Sequence, residues 1–214
     1  MLTDEEYYQG AFLGTVMGNS GIGKFSTTEL NKQLSGKSAY ASVGVDSYEH
    51  AVNAGGSPKD MESILQLLYL NFTAPRFDET DLQNLKNMYV PYFRNMESDP
   101  SYIMGKNYTE TFYGNHPRRQ MTNANDIEAL NIADLKAVHS ELFSYANDFR
   151  FQIVGNVDLE TLKPLVEKYI GSLPTSKSAE YAVVDDGVRF AEGEVTNDFR
   201  VKMQQPKVSV YLTY

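Results

Sequence analysis

Apolar positions between residues 125 and 174 recur in three rhythms, and the rest of the chain reads outward from that stretch. Ile132, Leu135, Val138, Leu142 and Phe143 follow Asn131 at helical spacing, which predicts an amphipathic helix with an asparagine N-cap. After Ser144 the rhythm changes to Phe149, Phe151, Ile153 and Val154, a β-rich run that stops at Gly155 and Asn156. Asp158 then opens a second helix through Leu159, Leu162, Leu165, Val166, Tyr169 and Ile170. Gly171 ends it and Pro174 bars a restart.

Upstream, residues 3–17 read as a helix, with Thr3 and Glu6 forming a capping box and Tyr7, Ala11, Leu13 (or Phe12) and Val16 on the apolar side. Residues 18–23 are a glycine-rich break. Ser26 and Glu29 make a second capping box, opening a short helix through Leu30 and Leu34 to Gly36. Residues 39–45 and 48–53 predict two strands that turn at Asp46-Ser47. Ser57 and Pro58 open a helix carrying Met61, Ile64, Leu65, Leu68 and Phe72, closed by Ala74-Pro75. Residues 78–98 continue the helical pattern with a kink expected at Pro91, and Asp99-Pro100 starts another helix toward Tyr113. Residues 114–117 form a loop. Beyond Pro174 a polar connection leads to further strands, among them residues 199–203 and 208–212. Helices and strands in this mixed order predict an α+β fold, a mostly antiparallel sheet with helices packed on one side.

Composition removes several function classes. The net charge of −9 opposes non-specific nucleic-acid binding, which depends on lysine and arginine neutralising phosphates, so no nucleic-acid partner is expected. No apolar run approaches membrane-spanning length, so no membrane span is expected. Cysteine is absent, which excludes disulfides and thiolate metal sites but leaves the redox compartment open.

Two motifs mimic functional sites. Residues 18–24 match the phosphate-loop pattern G-x-x-x-x-G-K, yet Phe25 stands where Ser or Thr would hold magnesium, and a helix rather than a strand precedes the loop. A helix-to-helix turn is the simpler reading. Asp46, Glu49 and His50 read D-x-x-E-H, but on a turn and strand they share no helix face, so a partly exposed strand histidine is expected. His116 reads as a loop residue, and His139 as a packed or rim residue of its helix. Three dispersed histidines assemble no zinc set, and the pairs Glu5-Glu6 and Asp185-Asp186 read as solvated charge. The tyrosines at 7–8, 89–92 and 102–113 recur at helical spacing, which predicts packing. No serine nucleophile elbow occurs.

The order Ile132-Ala133-Asp134-Leu135, then residues 151–158 (FQIVGNVD), then residues 169–174 (YIGSLP), resembles the insulinase/pitrilysin family of zinc peptidases, which includes mitochondrial processing peptidase. The resemblance implies the processing-peptidase-like (LuxS/MPP-like) metallohydrolase fold across 1–214 as a single domain. It also implies that an N-terminal strand or two is missing. A chain that opens on a helix cap and stops inside an alternating strand is expected to be excised from a longer protein. In that family an H-x-x-E-H helix and a later glutamate supply zinc ligands and general base. Matched without gaps, the three motif positions fall on Phe12, Thr15 and Val16, and the later glutamate falls near Tyr92. These side chains suit a helix packed into a core, so the former site is expected to have become interior. No catalytic and no metal residue is therefore assigned in this chain, and substrate-binding residues stay unassigned.

The resemblance implies a non-catalytic domain that helps enclose an unfolded peptide, with sister domains of the parent peptidase as partners and zinc expected in one of them. A scaffold subunit related to processing peptidases and a nucleotide-binding domain using residues 18–24 are the alternatives. An unpaired strand at residues 208–212 would invite self-association. The compartment stays open, the bacterial periplasm or cell envelope included.

Overall fold

A computed structural model describes residues 2–176, 185–203, 205 and 210. Helix α1 (Asp4–Ser20) begins at the expected capping box: the Thr3 hydroxyl accepts from the Glu6 amide at 3.2 Å, and the Thr3 amide donates to the Glu6 carboxylate at 2.7 Å. Ser26 repeats the device for α2 (Thr27–Gln33). Strands β1 (Ala39–Val45) and β2 (His50–Gly56) pair antiparallel, Val43 facing Val52 and Val45 facing His50. Next come α3 (Met61–Thr73), α4 (Glu79–Met96, running through Pro91) and α5 (Pro100–Phe112). The order closes with α6 (Ala124–Ala129), α7 (Ile132–Phe143) and α8 (Leu159–Tyr169).

The α+β reading holds, with the sheet reduced to two strands among the described residues. Val43, Val45, Val52 and Ala54 share one face and pack on the core, which Leu13, Val16, Leu68, Leu82, Leu135, Val138 and Phe143 fill. Tyr40, Ser42 and Asn53 lie on the other face, away from the core, so the helices do sit on one side.

Local departures have local causes. Ser57 makes no side-chain cap, because a 3-10 turn at Pro58–Asp60 comes first and α3 starts at Met61. β2 runs on through Gly55 and Gly56. At Gly56 φ is 152°, and a Cβ would sit 1.9 Å from the Ser38 carbonyl oxygen, which leaves room for glycine alone. Helix α6 is an addition to the expected elements. Its signal is Asn123 with Asp126 three residues on, a weaker spelling of the capping box.

The larger corrections concern strands. Residues 149–154 belong to no helix or ladder; Phe149 is extended, Phe149 and Phe151 turn toward the core, and Val154 is 85% exposed. The alternation is real, but an alternating segment becomes a strand only beside a backbone partner. Residues 199–203 form no strand either: the chain from Ala191 follows α5, with the Ala191 amide on the Phe112 carbonyl at 2.8 Å and Asn197 donating to Thr111 at 2.7 Å. The expected strand at 208–212 lies outside the described residues except for Val210.

Candidate functional site

Hydrogen-bond parity shows which way β2 presents its backbone. The flanking pairs are Ser57 to Ser38 and Asp46 to Glu49, each amide to carbonyl at 2.8 Å. Bonded and non-bonded pairs alternate along an antiparallel ladder, so Asn53 and Ala51 bond across to β1 while His50, Val52 and Ala54 direct their amides and carbonyls away from it. The opposite edge of the hairpin meets α1 at Val43. By the same parity Val43 turns its carbonyl outward, and Gly14 of α1 lies so close that a Cβ there would sit 2.2 Å from that oxygen.

The free edge of β2 faces residues 149–154 across a cleft of about 600 Å³. Ile64, Leu65 and Leu68 of α3 and Ile170 line its floor. An aromatic cluster supports it: Phe149 meets His50, Phe72 and Phe143 at ring separations of 5.0, 4.8 and 5.7 Å. Phe143 also stacks on His139 at 5.3 Å. Glu49, Asp148 and Arg150 stand among the cleft's lining residues. Burial holds the His50 imidazole below its ordinary range, with the nearby Asp148 carboxylate opposing that shift. His139 is also pushed down by burial, although its Nε2 lies 2.8 Å from the Asn71 carbonyl.

The sequence motifs resolve differently. In the phosphate-loop match, Gly18 belongs to α1, and the amides that would cradle a phosphate are already committed. Gly21 donates to Met17, Ile22 to Phe25, Gly23 to Ala74 and Phe25 to Ile22, all at 2.9 to 3.1 Å. The Lys24 ammonium sits over the Phe25 ring. This is a tight helix-to-helix turn, not an anion cradle.

Asp46 and Glu49 close the hairpin turn and His50 packs among phenylalanines, so the three do not converge. Among the described residues no group of three His, Asp or Glu is placed to hold a metal. His116 caps the 3-10 turn at Pro117–Arg119 through Nδ1, and Asp185 pairs with Arg189. The tyrosines pack and bridge: Tyr102 is buried and donates to the Thr122 carbonyl at 2.9 Å, and Tyr108 stacks on Phe112.

At the positions matched to the zinc motif, Val16 is 1% exposed and Phe12 is half-buried, whereas Thr15 is exposed and Tyr92 is 56% exposed. The expected conversion to interior therefore holds for only half of the set. A phenyl ring and an isopropyl group offer no donor atom, so the residues present do not fit a zinc ion.

The free amides of β2 have no signal in the sequence. Alternation of Val43, Val45, Val52 and Ala54 reveals a face, but edge polarity depends on the pairing register.

Comparison with known proteins adds the family context. The family model described as the peptidase M16 inactive domain matches residues 129–214. The chain is 25% identical over 168 residues to the probable zinc protease PqqL of Escherichia coli K12, covering 78% of this chain and 18% of that protein. Its fold matches the crystal structure of the periplasmic protease PqqL from E. coli with a TM-score of 0.73 at 23% identity, over 89% of this chain and 21% of the other. It also matches the peptidase M16 inactive domain from Pseudomonas fluorescens with a TM-score of 0.62 at 19% identity, over 79% and 42%. The chain spans about a fifth of the length of the curated relatives it matches.

Proposed function

We propose that this chain, an inactive domain of the insulinase/pitrilysin peptidase family, encloses and positions an unfolded peptide while hydrolysis takes place in a sister domain that carries the zinc. The observation that carries this reading is the residue set at the motif positions. Zinc hydrolysis requires three protein ligands, a bound water and a carboxylate to take its proton. Phe12 and Val16 are packing residues, Thr15 is no base near neutral pH, and Tyr92 is an exposed phenol. The helix that would present the ligands is instead an anchor, with Leu13 and Val16 in the core and Gly14 against β1.

The enclosing role draws support from the open face of the hairpin. Ser42, Gly44 and Asn53 give it short or polar side chains, which let an extended backbone approach closely, while the Tyr40 ring lies over Gly55. The test combines zinc analysis after dialysis with anisotropy of a fluorescein-labelled unstructured peptide. Saturable binding without cleavage is expected. One zinc per chain with chelator-sensitive turnover would overturn the non-catalytic reading, and absence of saturable binding would overturn the peptide-enclosing one.

A further inference from the structure

Among the described residues one buried side-chain nitrogen lacks a hydrogen-bond partner, the Nε of Arg119. A guanidinium stays charged at any working pH, so an unmade bond there leaves part of a cation buried without compensation. The surroundings fix this guanidinium without saturating it. The ring of Tyr113, which follows α5, lies against it at 5.6 Å. Nη2 donates to the Tyr48 hydroxyl at 3.3 Å, a long bond to a neutral oxygen.

The nearby ion pairs leave no carboxylate for Arg119. Arg118, whose side chain is 10% exposed, holds Asp4 at 2.7 Å and also donates to the Leu2 carbonyl. Arg189 is paired with Asp185. In any arginine Nε–H and one Nη2–H point the same way and match the two oxygens of a carboxylate. Arg119 therefore presents a fork with one prong empty and the other weakly used. Tyr48 covers it from the turn between β1 and β2 and is 81% exposed, so its ring can swing aside without unpacking the core. The other neighbours are aromatic: Phe190 meets Tyr113 at 5.4 Å and is 61% exposed.

We propose that the Arg119 fork takes the C-terminal carboxylate of a peptide whose last side chain is apolar or aromatic. One carboxylate oxygen accepts from Nε and the other from Nη2, in place of the Tyr48 hydroxyl. The last side chain of the peptide then lies against Tyr113 and Phe190. An Asp or Glu side chain offers the same carboxylate, but only the terminal one carries a further side chain on the adjacent carbon for the aromatic neighbours to hold. The site rests on the peptide-enclosing reading for its ligand and names the end of the peptide that is gripped.

Two measurements on the whole chain test it. In nitrogen-15 NMR, N-acetylphenylalanine should shift the side-chain Nε–H signal that Arg119→Lys removes, and N-acetylphenylalaninamide should not. In anisotropy, an unstructured peptide ending in phenylalanine should bind about tenfold more tightly as the free acid than as the amide, the worth of one charge-assisted hydrogen bond. That difference should shrink in Arg119→Lys and at high salt. Tyr48→Phe, which removes the competing hydroxyl, should preserve or enlarge it. The acid and amide comparison needs no variant, so it holds even if Arg119→Lys does not fold. Equal affinity of the acid and the amide would overturn the proposal and leave the peptide-enclosing reading intact. If neither peptide binds, that reading fails, and the N-acetylphenylalanine titration still decides the fork by itself. An amidated peptide with an internal Glu that binds as tightly as the free acid would overturn the assignment to the C-terminus.

Discussion

Phe143 is the residue whose removal most directly tests how the cleft is supported. Its ring is fully buried and touches His50, Phe72, His139 and Phe149 at centroid separations of 5.3 to 6.4 Å. It therefore joins α7 to β2, α3 and the start of residues 149–154. Phe143→Ala removes a full aromatic side chain from a closed site, which costs about 3–5 kcal/mol in comparable cores. A domain has only about 5–15 kcal/mol in total, so about a fifth or more of its stability would go. At about 2–4 °C per kcal/mol for a chain of this size, the midpoint of thermal unfolding should fall by roughly 6–20 °C. Phe143→Leu keeps most of the volume and should cost about 1–1.5 kcal/mol. Urea unfolding followed by circular dichroism and tyrosine fluorescence gives both numbers; the chain has no tryptophan. A loss below about 1 kcal/mol for the alanine variant at unchanged m would refute the reasoning, because it would mean that residues 149–154 are not anchored through this ring.

Three further outcomes are expected. His50 and His139 are both held below their ordinary values, chiefly by burial, so the folded state keeps them neutral while the unfolded chain protonates near pH 6.5. Their stability contribution is complete above about pH 6.5 and is lost as pH falls through the folded values; urea midpoints at successive pH values should drop over that range, and less in His139→Gln. Gly21 has φ of 90°, and a Cβ there would sit 2.2 Å from the Phe25 carbonyl, whereas Gly18 is helical with open space beside it. Gly21→Ala should cost at least about 1–3 kcal/mol, and Gly18→Ala should be neutral or stabilise by up to about 1 kcal/mol, as thermal melts would show. Magnesium ATP should give no saturable heat in calorimetry at micromolar levels, since the amides of Gly21, Ile22, Gly23 and Phe25 are engaged; binding that vanished in Lys24→Ala would reverse that conclusion.

Much of the helical part is legible because its signals are local. Thr3, Ser26 and Asn131 each cap the helix that follows them, and the 3.6-residue rhythm of α7 buries Leu135, Val138 and Phe143. The sheet is less legible because pairing is not local. Residues 149–154 carry a strand's alternation, and Phe149 and Phe151 obey it, but nothing in six residues states whether a neighbour lies within hydrogen-bonding distance. Residues 199–203 fail for the same reason, their lead-in being taken up by α5.

The motif positions show the same division between spacing and environment. Phe12 and Val16 lie four residues apart and so occupy one side of α1, the geometry that brings two ligands together on a helix. Thr15 is one residue before Val16, about 100° around the helix, and reaches solvent. Spacing therefore survives in α1 while chemistry does not. The side that would face a metal leans on the core through Val16, and the close contact of Gly14 with Val43 fixes the helix against the edge of β1. That contact has a consequence for the hairpin. At Val43 the outward edge of β1 is closed by α1, while the outward backbone groups of His50, Val52 and Ala54 on β2 face the cleft toward residues 149–154.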